Sequence, residues 1–259
     1  MQRVHFIGIG GVGMNGLAQL AALSGYAVSG SDRAHDPEAG LFRCLDRLGI
    51  RLAPQDGSGL TPSTGRVVYS TAIEPDNPDL SRARELGLPR LHRAEFLKEL
   101  IGGAELVAVA GTAGKTTTTG MLGWIFEQNG MNPTVYNGAA VLNWKTQTRL
   151  GNVRKGDPNL WIIEADESDK SLLQFHPTHS IITNVSKHDN EFDVDVECIL
   201  IDDDEPGPSI QSRPREPGEK EMRMTSKSST ATSQDAGRRL PKERPPTHPG
   251  EMLLEEFLK

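Results

Sequence analysis

The chain has 259 residues and a net charge of −7, with 36% hydrophobic residues. Its length suits roughly two domains, each able to bury a core, and an acidic balance without a basic stripe excludes a general nucleic-acid binder. Two cysteines, Cys44 and Cys198, are too few for a disulfide framework; with no signal peptide and no long apolar run, the expected location is the cytoplasm, away from membranes.

In chain order, Val4 to Ile9 is an apolar run ending in glycines and predicts a buried strand, followed by a helix from Met14 to Leu23. A second strand is expected over Tyr26–Gly30, a helix over Pro37–Leu48, and a third strand over Arg66–Ser70. Asn77-Pro78 supplies a cap and a first-turn proline for a helix running to Leu86. This alternation predicts a parallel, doubly wound sheet. After a further helix, Arg93–Ile101, and the Gly102-Gly103 break, the pattern restarts with a strand over 104–110 and a helix over Lys115–Gln128. Asn159–Glu164 and His179–Asn184 are two more apolar strands with polar ends. The expected fold class is therefore α/β: a Rossmann-like parallel sheet in residues 1–103, then a partial α/β domain with a phosphate loop in 104–200. Prolines and a Ser/Thr/Lys-rich run predict a disordered linker over 201–250, and 251–259 reads as a short helical tail.

Four segments carry chemistry. The strongest is Gly111-Thr112-Ala113-Gly114-Lys115-Thr116-Thr117, between a strand and a helix. Backbone amides of such a turn, with the helix N-terminus, cradle the phosphates of ATP. Lys115 would bring a cation to the β/γ-phosphates and the Thr116 hydroxyl would ligate Mg²⁺. The general pattern wants glycine at position 109, where this chain has Val109, so the loop is a shortened form. The second segment, Gly8-Ile9-Gly10-Gly11-Val12-Gly13, follows the first strand, and Asp32 closes the second strand near the spacing of a ribose-binding acid. Alone it fits NAD, FAD or any diphosphate, or simply close packing of the first helix. The third, Glu164-Ala165-Asp166-Glu167-Ser168-Asp169, puts carboxylates at a strand end, where a Mg²⁺ ligand is needed beside a phosphate loop. In the fourth, Thr183 to Asp189, His188 is a candidate metal ligand and Asp189 a candidate for Mg²⁺ or water.

In this order the segments resemble the Mur ligase family. The matching stretches are His5–Met14, Ser29-Gly30-Ser31-Asp32, Ser70-Thr71-Ala72-Ile73 with Asn77-Pro78, Arg93-Ala94-Glu95, the phosphate loop and Glu164–Asp169, spanning about residues 3–193. The resemblance implies an N-terminal domain that holds the UDP of a UDP-sugar through Gly8, Gly10, Gly11, Val12, Gly13, Asp32 and Ser70. It implies a central domain that binds ATP and Mg²⁺, with Lys115 and Glu164 catalytic and Thr116, Glu164 and His188 at the metal. A third, C-terminal domain would close over both. The implied reaction belongs to peptidoglycan precursor synthesis: ATP phosphorylates the carboxylate of UDP-N-acetylmuramate, the amine of L-alanine attacks the acyl phosphate, and an amide forms. A related ligase joining a whole peptide to the same UDP-sugar shares the N-terminal motifs.

Three departures stand out. Ala113 occupies a position that is histidine in the similar family members, His188-Asp189 reverses the family's Asp-His order, and the resemblance stops near Asp193. The last residues, Arg244 to Lys259, resemble the start of HigA-type antitoxins without their DNA-binding helices. A truncated ligase, or a non-catalytic remnant that binds UDP-sugar or ATP, is the expectation.

Overall fold

The computed structural model describes residues 1–165 and 175–184. Its first sheet is built from β1 (Arg3–Ile7), β2 (Ala27–Ser31), β3 (Arg51–Ala53), β4 (Arg66–Tyr69) and β5 (Arg90–His92). The strand order is β3-β2-β1-β4-β5, and every pairing is parallel. Parallel strands are covered on both faces, which is why the middle strand β1 carries Val4, Phe6 and Ile7 with 1% exposure or less. The crossover helices are α1 (Val12–Leu23), α2 (Gly40–Arg47), α3 (Pro78–Glu85) and α4 (Arg93–Ile101). Asn77 caps α3 as its sequence predicts, its Oδ1 accepting from the amides of Asp79 and Leu80 at 3.0 and 3.3 Å.

The second sheet comprises β6 (Glu105–Ala110), β7 (Pro133–Tyr136), β8 (Val153–Arg154), β9 (Asp157–Glu164) and β10 (His179–Ile182). Its order is β10-β6-β9-β7-β8, parallel except for the β7–β8 pair. Helix α5 (Lys115–Gln128) crosses between β6 and β7. It approaches closely because Gly123 carries no side chain: a Cβ there would stand 2.7 Å from the Trp144 ring and 2.9 Å from Val135.

The two sheets share a core. Leu17, Ala18 and Leu20 of α1 and Phe96 and Leu97 of α4 belong to the same buried cluster as Val153, Trp161 and Ile163 of the second sheet. Phe96 meets Phe6 and Tyr26 edge-on, each with ring centroids 5.6 Å apart. The doubly wound expectation holds, with helix starts at Lys115 and Arg93 where the sequence put them. The sequence reading missed β3, β5, β7 and β8, which are two to four residues long. No helix among the described residues is long and apolar enough to cross a membrane. The expected linker and terminal helix, His188, Asp189 and Asp166 to Asp169 lie outside the described residues.

Candidate functional site

Both Gly-rich loops sit at carboxyl ends of parallel strands, where open α/β sheets bind ligands. The second loop joins β6 to α5. Gly111 and Gly114 take φ of +125° and +85°, backbone that disfavours a Cβ. Its crown is fastened to the end of β10. Thr112 N donates to Asn184 O at 3.1 Å and Ala113 N to Asn184 Oδ1 at 3.1 Å. The Ala113 carbonyl accepts from Thr183 Oγ1 at 2.6 Å and from Asn184 Nδ2 at 2.7 Å. Ala113 is thus held through its backbone, which suits a position where the side chain differs from the family's histidine.

Lys115 folds over its own loop, Nζ donating to Gly111 O at 2.6 Å. Thr116 Oγ1 donates to Glu164 Oε1 at 2.8 Å, so the structure brings together two of the three residues expected at a metal, the third, His188, lying outside the described residues. Glu164 Oε2 accepts from the Gly138 amide at 2.6 Å. A Cβ at Gly138 would lie 2.5 Å from that same oxygen, so a larger residue there would push the Glu164 carboxylate aside. The first turn of α5 points amides without intrahelical acceptors toward the same end of the sheet. Among the described residues no three His, Cys, Asp or Glu side chains form a cluster.

The first loop joins β1 to α1. Gly8 N and Ile9 N donate to Ser31 O at 2.8 and 2.9 Å, which ties the loop to the end of β2. Asp32 does more than its sequence position suggests: Oδ2 accepts from the Gly10 amide at 2.7 Å and Oδ1 from Ala34 N at 2.8 Å. It therefore braces the loop. The Ser70–Ile73 turn closes the other side, with Ile73 Cδ1 placed 3.0 Å from where a Gly8 Cβ would be. Gly13 leaves room for Arg93, whose Nη1 would be 2.6 Å from a Cβ at that position. Arg93-Ala94-Glu95 was read from the sequence as a matching stretch, but no role beside this loop was assigned to Arg93.

Beneath this loop lies a buried polar cluster that the sequence reading also passed over. His5 and Asp79, both with fully buried side chains, stand 3.5 Å apart. His5 Nδ1 meets Ser29 Oγ at 3.0 Å, and Asp79 accepts from Ser31 Oγ and, at 2.7 Å, from the Gly57 amide. Burial pushes the Asp79 carboxyl up, but the bonds from His5, Ser31 and Gly57 outweigh it and hold the group below the usual carboxylate range. The cluster pins Ser31, and through it the loop, to α3.

Comparison with known proteins turns this geometry into a family. Residues 3–105 match the Mur ligase family, catalytic domain, and residues 109–199 match the Mur ligase middle domain. The chain belongs to the Mur ligase family. It is 44% identical over 184 residues to the UDP-N-acetylmuramate–L-alanine ligase of a Cyanothece strain, covering 70% of this chain and 36% of that protein. The ligase of the same name from Phenylobacterium zucineum is 42% identical over 183 residues, again 70% and 36% of the two chains. Among solved structures, the UDP-N-acetylmuramate–alanine ligase of Thermotoga maritima superposes with a TM-score of 0.65 at 31% identity, covering 73% of this chain and 42% of that one. A murein peptide ligase from Psychrobacter arcticus gives a TM-score of 0.64 at 28% identity, covering 72% and 43%. This Mur ligase chain spans about a third of the length of the first two relatives.

Proposed function

We propose that this chain carries the UDP-sugar and ATP sites of a Mur ligase that joins L-alanine to UDP-N-acetylmuramate. The observation that carries the reading is the Thr116–Glu164 pair at 2.8 Å, set under a phosphate loop in the same core as a second Gly-rich loop. One hydroxyl and one carboxylate fit Mg²⁺, which takes few protein ligands and fills its shell with water and phosphate oxygens. When bound there, Mg²⁺ would neutralise charge on the transferring phosphoryl group.

In this reading Lys115 leaves the Gly111 carbonyl to reach the β/γ-phosphates, and the amides that open α5 hold the phosphate oxygens. The first loop, braced by Asp32 and flanked by Arg93 and Ser70, takes the UDP diphosphate rather than a dinucleotide. The substrate carboxylate then takes the γ-phosphoryl group from ATP, and the L-alanine amine displaces phosphate to form the amide. The domain division that suits this is 1–103 for UDP and 104–200 for ATP, and the reaction is cytoplasmic.

The similarity to murein peptide ligases supports a second reading, in which a peptide replaces L-alanine as the amine. A third reading is binding of UDP-sugar and ATP without turnover. Phosphate release from ATP separates these. Release that needs both UDP-N-acetylmuramate and L-alanine supports the first reading, and release only with an alanyl peptide supports the second. UDP-sugar binding with no release in either case leaves the binding remnant.

A further inference from the structure

A run of hydrogen bonds, linked through the Asn152 residue and the Asn137–Gly138 peptide, joins the two Gly-rich loops across the two sheets. Asn15 Nδ2, on α1, donates to Gly10 O at 3.4 Å, and Asn15 Oδ1 accepts from Asn152 Nδ2 at 2.8 Å. Asn152 O accepts from Asn137 N at 2.9 Å. The next residue, Gly138, donates its amide to Glu164 Oε2 at 2.6 Å, and Glu164 Oε1 accepts from Thr116 Oγ1 at 2.8 Å. Asn152 stands in the middle of this run.

Its surroundings are built for it. Asn152 Nδ2 also reaches Val12 O at 3.3 Å, and Asn152 Oδ1 accepts from Gln19 Nε2 at 3.0 Å. Gln19 Oε1 in turn accepts from Leu150 N at 3.0 Å, and Tyr136 Oη donates to Gly13 O at 2.9 Å. Asn15, Gln19 and Asn152 are 5%, 0% and 4% exposed. Three buried amide side chains with satisfied bonds fix one mutual geometry, where apolar residues would tolerate sliding. The helix must come close for this: a Cβ at Gly16 would be 3.0 Å from Asn152 Nδ2 and 3.1 Å from the Tyr136 ring. The carbonyls that these groups hold, at Gly10, Val12 and Gly13, belong to the loop and first turn that present amides to a diphosphate.

We propose that Asn152 is a positioning residue for both loops, so that a ligand on one changes the affinity of the other. The proposal rests on the reading of the loops as UDP and ATP sites. Thr116 now bonds to Glu164, and Glu164 also accepts from the Gly138 amide. Binding a nucleotide with its divalent cation requires both residues to exchange those bonds for bonds to ligand, which alters the acceptor of the Gly138 amide, one residue from the Asn137–Asn152 bond. Coupling of this kind is reciprocal.

The probes are UDP and Mg-ADP, titrated into the full chain singly and together, with hydrogen exchange followed over residues 10–17. Mg-ADP is expected to change UDP affinity about fivefold or more, UDP to change Mg-ADP affinity by the same factor, and Asn152→Ala to abolish the coupling. Wild-type exchange over residues 10–17 should change with Mg-ADP alone, which decides the matter even where the variant folds poorly. Both probes binding wild type independently, or coupling that survives Asn152→Ala, would overturn the proposal. If neither probe binds, the reading of the sites falls. Exchange over 10–17 without ligand then decides the positioning role: faster in Asn152→Ala supports it, and unchanged overturns it.

Discussion

The loop after β1 and the loop after β6 both lead from a buried parallel strand into a helix, yet they are finished by different groups. Around the first, an amide that opens the turn is already held by Asp32, and the nearby cation, Arg93, comes from a distant helix. The second carries its own cation, Lys115, and sets a hydroxyl against a carboxylate at Thr116 and Glu164. The first arrangement suits a diphosphate that is gripped and left intact. The second suits a triphosphate whose terminal group is to be moved, because that chemistry needs a cation and a metal shell. In the proposed reading, two strand-to-helix loops take different tasks, and the side chains around them divide the work.

Substitutions can break this comparison. The largest effect is expected from Lys115→Ala, which should weaken Mg-ATP binding about ten- to hundredfold, the worth of a charged hydrogen bond. UDP binding should fall by less than twofold, as calorimetric titration of both ligands would reveal. Gly138→Ala pushes a methyl against Glu164 Oε2, so the carboxylate must swing aside and lose its bond to the Gly138 amide, which should cost about 0.5–1.5 kcal/mol of stability by denaturant unfolding. It should also weaken the Mg²⁺ dependence of nucleotide binding.

The Asp79 cluster tests the first loop from below. Its carboxyl is held below its unfolded value, so its contribution to stability is complete above about pH 4 and is lost as pH falls through the folded value. Asp79→Asn should therefore lower stability at pH 7 by about 1–3 kcal/mol and flatten the fall in stability between about pH 4 and lower pH. A variant whose acid profile still follows the wild type would refute the assignment. A smaller loss is expected at the α3 cap. Asn77→Ala removes the acceptor for the Asp79 and Leu80 amides and should cost about 1 kcal/mol in urea unfolding, without altering nucleotide binding.

What was legible in the sequence follows from burial. Strands β1, β6 and β9 announced themselves because central parallel strands are apolar on both faces, and α3 did so through Asn77-Pro78. Strands β3 and β5 begin with Arg51 and Arg90 at the sheet's two edges, where short, charged segments carry no periodic signal. The phosphate loop and Glu164 were readable as local motifs. Arg93, the His5–Asp79 pair and Asn152 were not, because their partners are distant in the chain and only the folded sheets bring them together. Asp32 was readable as a candidate ribose-binding acid but not as a brace for the loop, since spacing alone says nothing of which atom it bonds.

The most direct test of the division of labour is a simultaneous titration of the full chain with UDP and Mg-ADP. One site for each, both filled at once, with the Mg-ADP site alone weakened by Lys115→Ala, is the predicted result. Displacement of one ligand by the other, or loss of both in Lys115→Ala, would contradict two loops with separate tasks.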